Sequence, residues 1–419
     1  AQYAQNTLKM VWMGTNRQPT GISAAPNETL TVFVDCEEGD PLPSIVFTQH
    51  LGRWNKWKSG EYKLQTGINH FTVPDLYDAG WTVKTAPGGP VYLINPYTAE
   101  EQSDSVRIYI EGGYTFPVYR EGGDEAVFLA DVASFLEAQE QSPDNIVDAA
   151  EIQSDNVILT LSASQVKAQC IDGKVSPEKV CKDWDDYVFS LLDFAGVALS
   201  PSDGGYDSRA PYINVNVRIM QPWAAAYAFG EHVGIQKGSW ESTVLTGAGY
   251  YGWGFAHELG HMMDISERTV SETTNNMWSQ FDQAMHGGIA ARGEFAAFTA
   301  AAAPDNNQKN AYGEKMSAAL PWWNIESRYP GFWGAFENCY RYENRAGMTD
   351  SSDKTRAELH VYFASLAAGT DLSYYFERIG FYWGSGELFT CENASQNFKT
   401  AIQAAKDAGR LSGKPLKFW

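Results

Sequence analysis

One stretch restricts this chain more than any other: Trp253-Gly-Phe-Ala-His257-Glu258-Leu-Gly-His261-Met-Met-Asp264, which contains His-Glu-x-x-His. On an α-helix, residues four apart lie one turn apart on the same face, so His257 and His261 can offer two imidazoles to one metal ion. Glu258 lies about 100° further round the helix, where it can reach a water on the metal without binding the metal itself. Neutral imidazoles suit zinc, and an open fourth position marks a catalytic site rather than a structural one. The run that leads in, Gly247-Ala-Gly-Tyr-Tyr-Gly-Trp-Gly254, is small and aromatic and permits close backbone approach near a cleft. No proline interrupts the motif.

Zinc needs a third protein ligand. A histidine six residues after His261 would supply it in one known pattern, but Glu267 stands there, and Asp264 stands where that pattern has glycine. The other route is a glutamate on a following helix. Ser271-Glu272-Thr-Thr-Asn275-Asn276 reads as the start of one, with Ser271 as N-cap and Glu272 in the first turn. Asp264 and Glu267 are its rivals, read otherwise as a solvated acidic helix end.

Gly252-Trp-Gly-Phe-Ala-His-Glu-Leu-Gly-His261 followed by Glu272-Thr-Thr-Asn-Asn276 resembles the enhancin-like zinc metallopeptidases, gluzincin-type enzymes that include viral enhancins and bacterial mucin-degrading proteases. The resemblance implies one Zn2+ per chain, held by His257, His261 and Glu272, with Glu258 as general base. It also implies a substrate: mucin-type O-glycoproteins, cleaved beside glycosylated Ser or Thr. Trp253, Asn275, Asn276 and Arg341 then become candidates for sugar contacts. For Trp253 the alternative is helix packing, and for the two asparagines it is bracing of the metal helix. An oxyanion partner is sought among Tyr250, Tyr251 and His232. Mucins lie outside the cell, so secretion or surface display is implied, although the chain opens on Ala1 and no signal sequence follows.

Length and composition set the frame. The chain has 419 residues, enough for two or three domains, and its 44% apolar and 20% charged residues are those of an ordinary globular protein. With 31 Lys and Arg against 51 Asp and Glu, the net charge of −20 argues against nucleic-acid binding. No run approaches 18 apolar residues, so no transmembrane helix is expected. Of the five cysteines, Cys170 with Cys181 and Cys339 with Cys391 could pair, or all five could stay reduced.

The chain reads as α+β and multidomain. Residues 1–122 hold short β-branched and aromatic runs, Leu30–Val34, Ser44–Phe47, Val91–Ile94 and Val106–Ile110, separated by Gly, Pro and Asn turns; this predicts a β-sandwich. Gln18-Pro-Thr-Gly-Ile22 and Pro87-Gly-Gly-Pro-Val-Tyr92 also resemble the β-domain that precedes the catalytic domain in the enhancin-like family. Residues 123–419 read as a zincin-type catalytic domain with a small sheet and a mainly helical C-terminal half. Its expected elements are helices over Glu125–Gln141, Lys182–Leu199 and Arg356–Ala368, and strands over Asn156–Leu161 and Tyr212–Ile219. The segment from Pro222 to Thr246 is where a substrate-pairing edge strand is sought. Two other functions fit the same residues: a zinc endopeptidase with no glycan requirement, and a non-catalytic glycan-binding or adhesion protein. The presence of Glu258 argues against the second.

Overall fold

The structure is a computed structural model that describes residues 2–77, 88–96, 105–197, 215–220, 225–247, 252–286 and 319–413. The start of the strand expected from Tyr212, and Tyr250 and Tyr251, lie outside these residues. By backbone proximity the chain forms two compact units. One contains Ala1–Ala4, Trp12–Val188 and Ala210–Tyr250; the other contains Gln5–Val11, Phe189–Arg209 and Tyr251–Trp419. Neither is a continuous segment. The change from sandwich to mixed sheet falls between Thr115 and Val118.

The first unit begins as two antiparallel sheets. Strands β1 (Arg17–Ala24), β3 (Ser44–Phe47), β4 (Tyr62–Lys63), β6 (Gly89–Ile94) and β8 (Tyr114–Thr115) form one, in the order β4-β3-β6-β1-β8. Strands β2 (Thr29–Asp35), β5 (Gly67–Thr72) and β7 (Arg107–Glu111) form the other, in the order β5-β2-β7. Alternation along β2 turns Leu30, Val32 and Val34 inward. There they meet Ala24, Ile45, Phe47 and Val91 from the facing sheet in one apolar core. That shared core makes the pair a β-sandwich.

A six-stranded mixed sheet follows: β9 (Val118–Arg120), β10 (Ala150–Gln153), β11 (Val157–Leu161), β12 (Val215–Met220), β13 (Ala226–Phe229) and β14 (His232–Gln236), in the order β13-β14-β12-β11-β10-β9. β11, β12 and β14 run parallel, and every residue of β11 and β12 is buried, as a sheet covered on both faces requires. β13 pairs antiparallel with β14 and ends the sheet among the described residues, within the segment from Pro222 to Thr246. The helix Glu125–Gln141 starts where expected because Asp124 accepts the amides of Ala126 and Val127. The helix over Lys182 starts earlier, at Pro177, and ends at Phe194.

The second unit is helical among its described residues: Trp253–Met263, Asn276–His286, Leu320–Glu326, Phe332–Tyr342, Asp353–Ala368, Ser373–Arg378 and Gln396–Asp407. Its core is aromatic. Trp278, Trp322 and Trp333 are fully buried, and His360 sits among Phe336, Phe376 and Phe381 with its Nε2 accepting from Trp322 Nε1 at 2.8 Å. Much of the tryptophan is therefore core. The N-terminal strip is built in: Met10 bridges to Ile265, the Val11 amide donates to Asp264 O at 2.9 Å, and Lys9 Nζ donates to Tyr340 O at 2.8 Å. All five cysteines are free thiols.

Candidate metal centre

The helix Trp253–Met263 buries Phe255, Ala256, Leu259, Met262 and Met263 on one side and leaves His257, Glu258 and His261 half-buried on the other. Gly260 is also on the buried side. A Cβ there would lie 2.4 Å from the carbonyl oxygen of Asn275, so glycine is what lets the following segment lie against the helix.

That segment carries Glu272, and here the local structure differs from the sequence expectation. No helix starts at Ser271; it starts at Asn276. Residues 271–275 form a tight turn in which the amides of Thr273 and Thr274 both donate to Val270 O at 3.0 Å. Thr274 drives the difference. Its Oγ1 accepts the Val270 amide at 3.0 Å and donates to Asp264 Oδ2 at 2.5 Å, side-chain bonds that compete with a helical first turn. Glu272 takes φ +60°, in the left-handed region that a residue with a Cβ rarely occupies without surrounding support.

The turn brings the carboxylate over the helix. Glu272 Oε2 lies 3.0 Å from His257 Nε2, and Oε1 lies 3.2 Å from His261 Nε2. The candidate ligand atoms of His257, His261 and Glu272 all fall within 4.8 Å of one another. Two imidazole nitrogens and a carboxylate at this spacing fit a tetrahedral zinc ion with one position left for water or substrate. The Glu272 side chain is 68% exposed against 17% and 16% for the two histidines, so the trio faces outward. Burial, and then the neighbouring His257, holds the His261 imidazole below its ordinary pKa, which favours the neutral, ligating form.

Two asparagines lie behind the trio. Asn276 Oδ1 is 2.6 Å from His257 Nδ1 and its Nδ2 donates to Glu272 O at 2.9 Å; Asn275 Nδ2 donates to His257 O at 3.2 Å. Both are buried. Asp264 and Glu267, the rival ligands, are engaged elsewhere. Asp264 is wholly buried and accepts from the Ile265 amide, Thr274 and Arg268, and Glu267 pairs with Arg345. Arg268 continues to Glu337, which Arg341 also meets. Arg341 is buried too: its Nε donates to Leu8 O at 3.0 Å and its Nη1 to Ala195 O at 2.7 Å. Trp253 is half-buried, with its carbonyl accepting from Ser279 Oγ at 3.0 Å.

The sequence reading missed the Asp264–Arg268–Glu337–Arg341 chain of charges. Its two halves are i,i+4 pairs and could have been read as such, but no local pattern joins residues 268 and 337. His232 belongs to the first unit, buried beside Trp57 with its Nε2 3.0 Å from Tyr227 Oη. Another trio there, Glu121, Asp155 and Asp185, has no imidazole, and Asp185 accepts from Ser154 and the Asn156 amide.

A His-Glu-x-x-His helix with a glutamate from the next turn over it defines the class: a metallopeptidase of mixed α+β architecture. The chain belongs to the peptidase M60 family, enhancin and enhancin-like, whose family model matches residues 126–380. It is similar in fold to the ZmpB metallopeptidase from Clostridium perfringens, with 24% identity, a TM-score of 0.80, and coverage of 96% of this chain and 78% of that one. It is likewise similar to the M60 catalytic domain of Clostridium perfringens ZmpC in complex with the sialyl T antigen, with 24% identity, a TM-score of 0.78, and coverage of 96% and 77%. Among curated proteins, TRPM8 channel-associated factor 2 from Homo sapiens is 25% identical over 267 residues, 62% of this chain; the match spans 25% of that relative's length. No helix among the described residues is long and apolar enough to cross a membrane.

Proposed function

We propose that this protein is a zinc metallopeptidase that hydrolyses peptide bonds in mucin-type O-glycoproteins next to glycosylated Ser or Thr, and that residues 123–419 carry the activity. The observation that carries the chemistry is the gathering of His257 and His261, on one helix with Glu258, and Glu272 from the turn that follows. Zinc in such a trio supplies Lewis acidity to a water and to the scissile carbonyl. The half-buried Glu258 accepts the proton of the attacking water and returns it to the leaving amine. Asn275, Asn276 and Arg341, turned inward, brace the site rather than touch sugar, which leaves Trp253 as the sugar-contact candidate. The glycan requirement is supported by a relative in complex with the sialyl T antigen. An extracellular substrate implies secretion or surface display.

Incubating a defined O-glycopeptide and its sugar-free twin with the protein, with and without a chelator, tests this by mass spectrometry. Cleavage beside the glycosylated residue, absent from the twin and abolished by the chelator, is the expected result. Cleavage of both peptides would make the protein a general zinc endopeptidase. A second reading, a binding protein without proteolysis, draws on the human relative, which is named as a channel-associated factor. Binding of the glycopeptide with no cleavage by the zinc-loaded protein would favour it.

A further inference from the structure

The two asparagines behind the trio differ in what they can do, and the difference follows from hydrogen-bond chemistry. In a neutral imidazole either nitrogen can carry the proton, and only the other can ligate a metal. The amide of Asn276 has one donor end and one acceptor end. Its Nδ2 lies 2.9 Å from Glu272 O, a carbonyl that can only accept, so the donor end is fixed there. The acceptor end, Oδ1, therefore faces His257 Nδ1 at 2.6 Å. An oxygen lone pair and an unprotonated nitrogen would repel at that distance, so when Nε2 ligates a metal beside Glu272 the single proton of the neutral ring sits on Nδ1 and is donated to Asn276. Asn275 gives His257 no such acceptor: its Nδ2, a donor, lies 3.1 Å from the same Nδ1 and 3.2 Å from His257 O, both further than the 2.6 Å from Nδ1 to Asn276 Oδ1.

We infer that Asn276 is the positioning residue of this site. It holds the His257 proton on Nδ1, turns the Nε2 lone pair toward the metal position, and ties that imidazole to the backbone of the turn bearing Glu272. One side chain thus couples two of the three ligands. Asparagine suits the task because it accepts and donates at once. Aspartate would accept from Nδ1–H but set a second oxygen against Glu272 O, and alanine would do neither. Fixing an imidazole through its second nitrogen is worth about 10–100-fold in metal affinity. The inference rests on the zinc reading above, extended to a residue outside the ligand set.

The test uses the full chain loaded with cobalt in place of zinc. Proton NMR then reads the exchangeable Nδ1–H of each ligating histidine, and competition with a chromogenic chelator reads the zinc Kd. In Asn276→Ala the His257 Nδ1–H is expected to exchange rapidly with water while that of His261 is unaffected, and zinc should bind about 10–100-fold more weakly. Asn276→Asp, close in shape and a safeguard against misfolding, should keep the protected Nδ1–H and still bind zinc more weakly than the parent. Thermal unfolding of the metal-free forms serves as the folding control. A folded Asn276→Ala with unchanged exchange and Kd, or an Asn276→Asp that loses the protected proton, overturns the inference. A parent protein that takes up neither metal overturns the zinc reading, and this with it.

Discussion

Gly260 and Glu272 satisfy one constraint between them. The carboxylate can sit over two imidazoles only if the turn that carries it lies against the metal helix, and the turn can lie there only where the helix has no Cβ. Gly260→Ala would push a methyl group against backbone, which cannot rotate away, and overpacking of this kind costs about 1–3 kcal/mol. The variant is expected to unfold at a lower temperature and to retain less than one zinc per chain after dialysis; equal zinc content by elemental analysis would show that the turn relaxes freely. Glu258→Gln separates chemistry from binding: turnover should fall by about 10²–10⁴-fold with zinc content unchanged, measured on whichever peptide the parent cleaves. His257, Glu258 and His261 were legible because four-residue helical spacing is local. Glu272 was a candidate from its spacing, with Asp264 and Glu267 as rivals, and the family pattern favoured it; its left-handed backbone was not legible, since that is imposed by Asp264 and Thr274, and neither residue advertises the role in the sequence.

Between elements, the buried charges decide how the metal helix is held. Asp264, Arg268, Glu337 and Arg341 are buried, and Glu337 faces two guanidiniums. Removing the central anion leaves two buried cations with Asp264 as their one acidic partner in the chain of charges, so Glu337→Gln is expected to lower unfolding stability by about 3–5 kcal/mol, read from urea denaturation. A second buried acid acts through pH. Burial raises Asp282, on the helix Asn276–His286, from 3.8 to about 6, against the opposing effects of His286 and the Gly252 amide. A carboxyl raised in the fold binds its proton more tightly there than in the unfolded chain. Its contribution is therefore fully present below pH 3.8 and is lost as pH rises through about 6. Asp282→Asn should flatten the stability profile over that window, by about 1–3 kcal/mol at its upper end; an unchanged slope would assign it to other groups. Helix starts were legible where a side chain caps them, as at Asp124. They were displaced where side chains bond elsewhere, as at Thr274.

On the scale of the whole molecule, the sandwich was legible because burial follows period 2 in β2, whereas in the helical C-terminal half the helix Asp353–Ala368 is buried without a break from Ala357 to Ser365 and was legible from residue propensity. The membership of residues 5–11 was not, because what fixes them lies some 250 to 330 residues further along the chain. They join the unit that holds His257, His261 and Glu272, not the sandwich that follows them directly. Leu8 and Met10 are buried, Leu8 O takes the Arg341 Nε–H, and the Val11 amide caps Asp264 O at the end of the metal helix. Each fully buried Leu or Met side chain contributes about 1.5–3 kcal/mol, so the two together supply roughly 3–6 kcal/mol. Deleting residues 1–11 removes that burial, frees an Arg341 donor inside the protein and uncaps the helix end that anchors the Glu272 turn. The deletion is expected to lower the melting temperature in excess zinc and to weaken the zinc Kd as well. A shortened chain with lower stability but an unchanged zinc Kd would show that the strip supports the unit as a whole without reaching the turn through Asp264.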